Sequence, residues 1–371
     1  MSKNESGITK KNSFVKMFFI TFFVVMFAYV SFIVIVDPYC HYHAPISGIC
    51  HELFSGKVRY INSGIAKNYD YNAVITGSSM TWNFKTSECD ELFGVTSIKA
   101  PFPAGIFCEV DDNIRIALEA GNDVDLVIRS MDFARFYYTK DAYLAEQENP
   151  YYMRDNNIFN DYHYIFNMDV FKDCLYDLRM TVNGGTSTSF DDYSYNGDDN
   201  PYGVQAVYDS LELKGIYAEE ETHMDEGMRT AIEENVGNYI IDTALSYPDT
   251  QFYIFVPPYS IAWWENNVYN QKSLPYQREW MEMVFGELTE IDNIHLFCFW
   301  DDYNLICNLD NYFNYSHYGP WVNSYMLECM SRGEHLITKD NYLDYIDEIM
   351  DFYENYDYEH LYDEICDENG N

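Results

Sequence analysis

From Met17 to Val36 the chain reads MFFITFFVVMFAYVSFIVIV, with no charge and only Thr21, Tyr29 and Ser31 as mildly polar interruptions. At a rise of 1.5 Å per residue, about 20 residues cross a hydrocarbon core of roughly 30 Å, so this run predicts one membrane-spanning helix. Lys3, Lys10, Lys11 and Lys16 precede it against Glu5 alone, and Asp37 and Pro38 follow. That asymmetry predicts a single-pass protein of the cell membrane, its N-terminus in the cytoplasm and its main domain outside. A cleaved signal peptide calls for a shorter apolar core and a small-x-small site, and VIVDPYCHYH supplies neither. A lipoprotein needs a small residue before its cysteine, where Tyr39 precedes Cys40. A buried core helix is rarely so uniformly apolar.

Beyond the anchor the pattern changes. Residues 37–70 carry Pro and Gly punctuation without a clean period and read as a juxtamembrane stalk packing onto the domain. Short apolar runs then alternate with helical spacing. Strands are predicted at Ala73–Thr76, Thr96–Lys99, Asp125–Arg129, Gln251–Val256 and Ile294–Phe299. Helices are predicted at Glu109–Ala120 with Gly121 as its C-terminal stop, around Glu226–Leu245, around Gln277–Leu288 and near Pro320–Cys329. Strand, helix, strand in this rhythm predicts an α/β domain over residues 71–345, with a parallel sheet and right-handed crossovers. Residues 135–225, rich in Tyr, Asp, Asn and Gly, break the rhythm and read as an insertion of loops and short helices over one end of the sheet. After Lys339 an apolar stripe at Leu343, Ile346, Ile349 and Met350 predicts a helix that packs on the domain, with an acidic face and tail over 346–371.

Charge and cysteines narrow the picture further. Lys and Arg number 22 against 60 Asp and Glu, a net charge of −38, and the N-terminal tail is itself basic. The outer domain therefore holds all the excess acid, which argues against nucleic acid as a partner and against electrostatic adhesion to anionic lipid. With 47% hydrophobic and 18% aromatic residues the chain has ample core material and is not disordered. Nine cysteines lie without C-x-x-C pairs, so no zinc ribbon or redox motif is present, and no metal or cofactor is expected. Cys40 and Cys50 are close enough in sequence to pair, or remain two thiols in a non-oxidising setting. Cys89, Cys108 and Cys298 sit among apolar residues and read as core.

Ligands of open parallel sheets bind beyond the carboxyl ends of the strands. At the first such end stands Thr76-Gly77-Ser78-Ser79-Met80. A serine on a tight turn there is exposed and near a helix N-terminus, where partial positive charge favours its alkoxide. The G-x-S-x-G elbow is not matched, because Thr81 stands at the second glycine. Taken alone, such a turn is ordinary turn chemistry or an N-cap. Near the far end of the chain, Asn314-Tyr315-Ser316-His317-Tyr318 follows the last predicted strand, and His317 there is a candidate general base. Other features are weaker. Trp263 and Trp264 follow a strand end and offer faces to sugar rings, packing being the ordinary alternative. Glu109 reads as a dipole-favoured first-turn acid, or as a neighbour of the site.

These segments together resemble the SGNH (GDSL-like) hydrolases, particularly membrane-anchored relatives linked to acylation of surface polysaccharides. The carriers are VITGSSMTWNFKTSECDELFG, SIKAPFPAG, QFYIFVPPYSIAWW and LDNYFNYSHYGPWVNSYM, covering roughly residues 37–345. The resemblance implies a flavodoxin-like α/β/α sandwich. It places the nucleophile on Ser79, with Gly77 shaping the turn, an oxyanion-binding N–H on Gly105, and the acid and base of a D-x-x-H block on Asn314 and His317. Two positions depart from the family pattern. Asn314 stands for the usual Asp; an amide still orients an imidazole but lends it no charge, and the corresponding change in a serine protease costs about 10⁴ in kcat. Asp301, Asp302 and Asp310 are the candidates to replace it in space. Met131, in Arg129-Ser130-Met131-Asp132, stands for an oxyanion-binding Asn, a donor worth about 3 kcal/mol, with Ser130 as the nearest replacement.

The expected function is a membrane-anchored extracytoplasmic esterase or O-acyltransferase acting on acyl groups of a surface polysaccharide or other glycan. The alternative is a catalytically degenerate module that binds glycan or docks to a membrane-embedded polysaccharide-assembly partner.

Overall fold

The computed structural model describes residues 2–133, 136, 150–155, 157–197 and 199–363, with the backbone alone over 2–12. Much of the start of the expected insertion and the end of the acidic tail, with Cys366, lie outside the described residues.

Six strands form one sheet in the order β2-β1-β3-β4-β5-β6. They are β1 (Ala73–Gly77), β2 (Ser97–Pro101), β3 (Leu126–Ser130), β4 (Gln251–Val256), β5 (Ile294–Cys298) and β6 (Leu336–Ile337). The first five run parallel, and the short β6 closes one edge antiparallel to β5. β1, β2 and β3 are buried along their whole length, as strands covered on both faces must be. Right-handed crossovers then decide the layers. The step from β1 out to β2 places the helix Thr86–Phe93 on one face. The steps from β2 back to β3 and on to β4 and β5 place Phe107–Glu119, Glu226–Ser246 and Leu274–Leu288 on the other. The helix Pro320–Arg332, leaving β5 for β6, packs beside Thr86–Phe93, while Tyr342–Asn355 packs beside Leu274–Leu288. This is the flavodoxin-like order, and its direction reverses between β1 and β3, where open α/β sheets form their ligand crevice.

Element boundaries follow sequence signals. Gly121, at φ +93°, ends the helix that crosses from β2 to β3. The helix after the insertion keeps its direction through a π turn at Gly237–Ile241. The folded chain changes two expectations, for residues 37–70 and for Leu343, and decides two that were open, for Cys40/Cys50 and for Trp263/Trp264. Residues 37–70 are more than a stalk: Val58–Asn68 forms a helix in the sandwich, with Ile61, Ile65 and Ala66 fully buried against Phe107–Glu119 and β2. Cys40 and Cys50 are both thiols, the first near the Tyr69 hydroxyl (3.8 Å) and the second at the Gly185 carbonyl (3.0 Å); the eight described cysteines form no disulfide among themselves. The C-terminal stripe is Ile346, Ile349, Met350 and Tyr353, and Leu343 faces solvent. Trp263 and Trp264 are buried, packed with Tyr259, Trp300 and Tyr353 under the end of β4, so neither offers a face to sugar. Cys89, Cys108 and Cys298 are buried as expected.

The first helix, Ser2–Val36, contains a stretch from Ser13 to Val36 long and apolar enough to cross a membrane. Its final turn joins the main core, where Ile33 and Val36 are fully covered. Described helices of the insertion, Tyr162–Ile165 and Met168–Val182, pack against this first helix.

Tyr353 carries the C-terminal helix: its ring stacks on Trp264 at 3.7 Å and its hydroxyl donates to the Trp300 carbonyl at 2.6 Å. Tyr353→Ala should therefore cost about 3–5 kcal/mol in denaturant unfolding. Leu343→Ala should stay within about 0.5 kcal/mol. Equal costs for the two would refute this assignment of the buried face.

Candidate active site

β1 ends in Gly77 because the chain must turn there while touching β3. Gly77 has φ +142°, and a Cβ at that position would meet Ser130 Oγ at 2.2 Å and the Ser130 nitrogen at 2.9 Å. The next residue, Ser78, caps a short 3₁₀ turn, Ser79–Thr81, by accepting the Met80 N–H on its hydroxyl. The Ser78 carbonyl in turn accepts both the amide and the hydroxyl of Thr81. Ser79 thus opens a one-turn helix at the β1–β3 reversal, and at a first position its N–H has no intrahelical partner.

The second half of the site arrives on the loop 312–318. Tyr312 and Tyr318 pair across its base, and the Phe313 N–H donates to the His317 carbonyl at 3.1 Å. The turn after β4 supports the loop: Tyr312 Oη donates to the Pro258 carbonyl at 2.8 Å, and Ser260 Oγ to the Tyr315 carbonyl at 2.6 Å. Two bonds then bind this region to the first turn. The Met80 carbonyl accepts Tyr318 Oη at 3.2 Å and Asn323 Nδ2 at 3.0 Å.

In that frame Ser79 Oγ lies 2.8 Å from His317 Nε2. His317 Nδ1 lies 3.0 Å from Asn314 Oδ1. The amide orientation is set independently, because Asn314 Oδ1 also accepts the backbone N–H groups of Ser316 (3.0 Å) and His317 (2.8 Å). An oxygen facing Nδ1 requires the proton there, which leaves Nε2 with its lone pair toward Ser79. The ring is stacked between Trp82 (5.9 Å) and Phe313 (5.5 Å). Burial in that setting pulls the imidazole pKa down to about 4. Among the described residues no carboxylate bonds to His317. Asp301 pairs with His335, and Asp302 caps the turn at Tyr303–Ile306 and accepts Tyr325 Oη. Asp310 lies beside Gly203.

The expected oxyanion donors are otherwise engaged. The Gly105 N–H donates to the Phe102 carbonyl at 2.6 Å. Ser130 Oγ accepts the Ser78 N–H at 3.0 Å and donates to Asp132 at 2.8 Å, which uses its one proton. Met131 is buried, with its N–H donated to β4. Ser79, Trp82, Asn83, Phe313 and His317 line one small, shallow cleft. Gly105, Arg129, Ser130 and Asp132 line another small recess. Glu109 is not at either. It is fully buried and ion-paired with Arg59 (2.8 Å) and Arg154 (3.5 Å), tying the helix Val58–Asn68 to its neighbour.

Three supporting residues escaped the sequence reading. Asn83 and Asn196 exchange bonds at 3.1 and 2.9 Å, so the insertion walls one side of the cleft. Lys99, in β2, is fully buried, and its Nζ donates to the carbonyls of Trp82 (2.7 Å), Phe84 (3.0 Å) and Asp191 (3.2 Å). Burial lowers the Lys99 pKa to about 7, and the nearby carboxylates of Asp191 and Asp192 oppose that. A lysine inside a strand without other charge was the one available signal. Lys99→Met should leave these carbonyls without their donor, at about 1–3 kcal/mol for each that stays buried. Urea unfolding checks it, and unchanged stability would contradict the clamp.

Against known proteins, no family model and no curated protein matches the chain. One solved structure, from Streptococcus pneumonia and provisionally described as a platelet activating factor, aligns over 79% of this chain and 92% of its own. The two are 12% identical, with a TM-score of 0.34. A likeness that loose carries no argument about the reaction.

Proposed function

We propose that the chain is a membrane-anchored serine esterase or O-acyltransferase of the SGNH type, working outside the cytoplasm on acyl esters of a surface glycan. The observation that carries the chemistry is the 2.8 Å contact between Ser79 Oγ and a His317 Nε2 that bears a lone pair. Ser79 attacks the ester carbonyl while His317 takes its proton. The imidazolium then protonates the leaving alkoxide, and the acyl-serine passes to water or to a sugar hydroxyl. Asn314 holds the ring in the right tautomer. The Ser79 N–H, at the start of its turn, is the oxyanion donor closest to hand. The small cleft favours a short acyl group, with the rest of the substrate lying outside it.

The placement rests on the first helix and its flanks. The apolar stretch Ser13–Val36 is long enough to span, and the lysines before it favour an N-terminus inside. The acidic domain then works near the membrane on neutral polymer, where its charge of the same sign as the lipid is no obstacle.

A second reading is favoured by the engaged donors at Gly105 and Ser130 and by Asn314: a degenerate module that binds glycan or docks to an assembly partner. It predicts saccharide binding that survives Ser79→Ala, measured by calorimetry, with no ester turnover.

For the enzyme, hydrolysis of a chromogenic acetate should fall at least about 10²-fold in Ser79→Ala and in His317→Ala. Retained turnover in both would sink the assignment. The pH profile tests the base itself. With a pKa near 4, His317 is unprotonated throughout the neutral range, so the acid limb of kcat/KM should lie near pH 4 rather than near the ordinary histidine value of about 6.5. Asn314→Asp puts a carboxylate against Nδ1–H. This raises the imidazole pKa, moves the limb to higher pH and should increase kcat, by up to about 10⁴-fold. A limb and rate unmoved by that substitution would contradict the role of Asn314.

A further inference from the structure

The charge-free run Met17–Val36 matches a hydrocarbon core of about 30 Å, but the protein does not leave all of it to lipid. From Tyr29 to Val36, about 12 Å of helix, every residue except Ile35 is partly or wholly covered by the domain. The stretch left largely bare, Met17–Ala28, measures only about 18 Å. A bilayer sealed against that stretch alone would be about 12 Å too thin, and mismatch costs a fraction of a kcal/mol for each ångström.

The covering segment is itself apolar on its outside. The Tyr29 ring stacks on Phe166 at 5.9 Å and meets Phe171 at 5.8 Å, and its hydroxyl donates to the Ile165 carbonyl at 2.9 Å. Phe166 therefore lies at the level of Tyr29, inside the apolar span, yet it is 57% exposed. Met168, which opens the next helix, is 63% exposed; Ile158 and Phe159, in the turn before Tyr162–Ile165, are 73% and 85% exposed. Isolated exposed apolar residues are ordinary, but large ones grouped within one short segment mark an interaction surface. Of the nearby acids, Asp169 pairs with Lys57 and Lys172 and Asp161 with His41, while Asp155 accepts the Asn157 N–H and Asn160 Nδ2.

We propose that the segment Ile158–Met168 is a second membrane contact, a wedge that sinks into the same leaflet as the end of the first helix and supplies the apolar surface which the covered helix cannot. The occupant is lipid, because the segment is stacked on residues of the spanning helix below its outer end. An amphipathic surface of this kind lies in the boundary between headgroups and acyl chains. The inference rests on the anchor reading and fixes how the domain tilts over the bilayer.

The test is photolabelling of the full chain in phosphatidylcholine vesicles carrying a diazirine on the upper acyl chain, with labelled peptides located by mass spectrometry. Label in both 17–28 and 157–182 is the expected result. In Ile158→Asp/Phe159→Asp, both exposed positions, the label in 157–182 should be lost while that in 17–28 remains. Label in 17–28 alone overturns the wedge and leaves the anchor standing; if the chain is then dimeric, a second copy covers the face. Absence of label from 17–28 refutes the anchor and the depth argument together.

Discussion

The Met80 carbonyl accepts from Tyr318 and Asn323, and through those two bonds the turn after the first strand is held against the loop that carries His317, 238 residues after Ser79. A serine and a histidine so far apart in sequence meet at hydrogen-bond distance only if both loops are rigid. The parallel sheet provides the coarse placement, since β1 and β5 deliver their carboxyl ends to one edge. The fine placement comes from side chains that bind carbonyls: Lys99 under Trp82 and Phe84, Tyr312 on Pro258, Ser260 on Tyr315. Buried carbonyls must find donors, and here the donors are also what fix the site.

Electrostatics gives the pair its particular character. The chain carries a net charge of −38, yet no described carboxylate bonds to His317; its Nδ1 faces the Asn314 amide oxygen and the Ser316 hydroxyl, and its ring neighbours are aromatic. Such a histidine is a base that stays neutral but gains little help when it becomes an imidazolium. It orients and accepts rather than stabilising charge. On the proposed reading, such a pair suits proton transfer with modest stabilisation of the ionised intermediate, a balance that a single carboxylate at position 314 would tip.

Much of this was legible beforehand, for physical reasons. The strand runs Ala73–Ile75 and Leu126–Ile128 are apolar because both faces are covered, and Gly77 and Gly121 mark turns, the first too close to Ser130 for a side chain and the second at a positive φ. Ser79 and His317 drew notice because strand ends are where chemistry collects, and their roles, with that of Asn314, came from the resemblance to the SGNH hydrolases. The helix Val58–Asn68 was hidden, since Asn62, Ser63 and Gly64 interrupt its apolar period while being buried themselves. The engagement of Ser130 and Gly105 was out of reach for a different cause. Which acceptor or donor a polar group meets depends on residues distant in sequence, as the Ser130 hydroxyl between Ser78 and Asp132 illustrates. Trp263 and Trp264 pack in the core, the ordinary reading of such a pair, although a pair of indoles reads the same in sequence whether it faces a sugar or a core.

The central claim is that Ser79 is an activated nucleophile, and the most direct measurement is covalent capture. The full chain in detergent is treated with a fluorophosphonate, and the adduct is located by peptide mass spectrometry. The account predicts one stoichiometric adduct on Ser79, formed at neutral pH and absent from His317→Ala. A folded chain that takes up no phosphonate, or takes it up elsewhere, would contradict it.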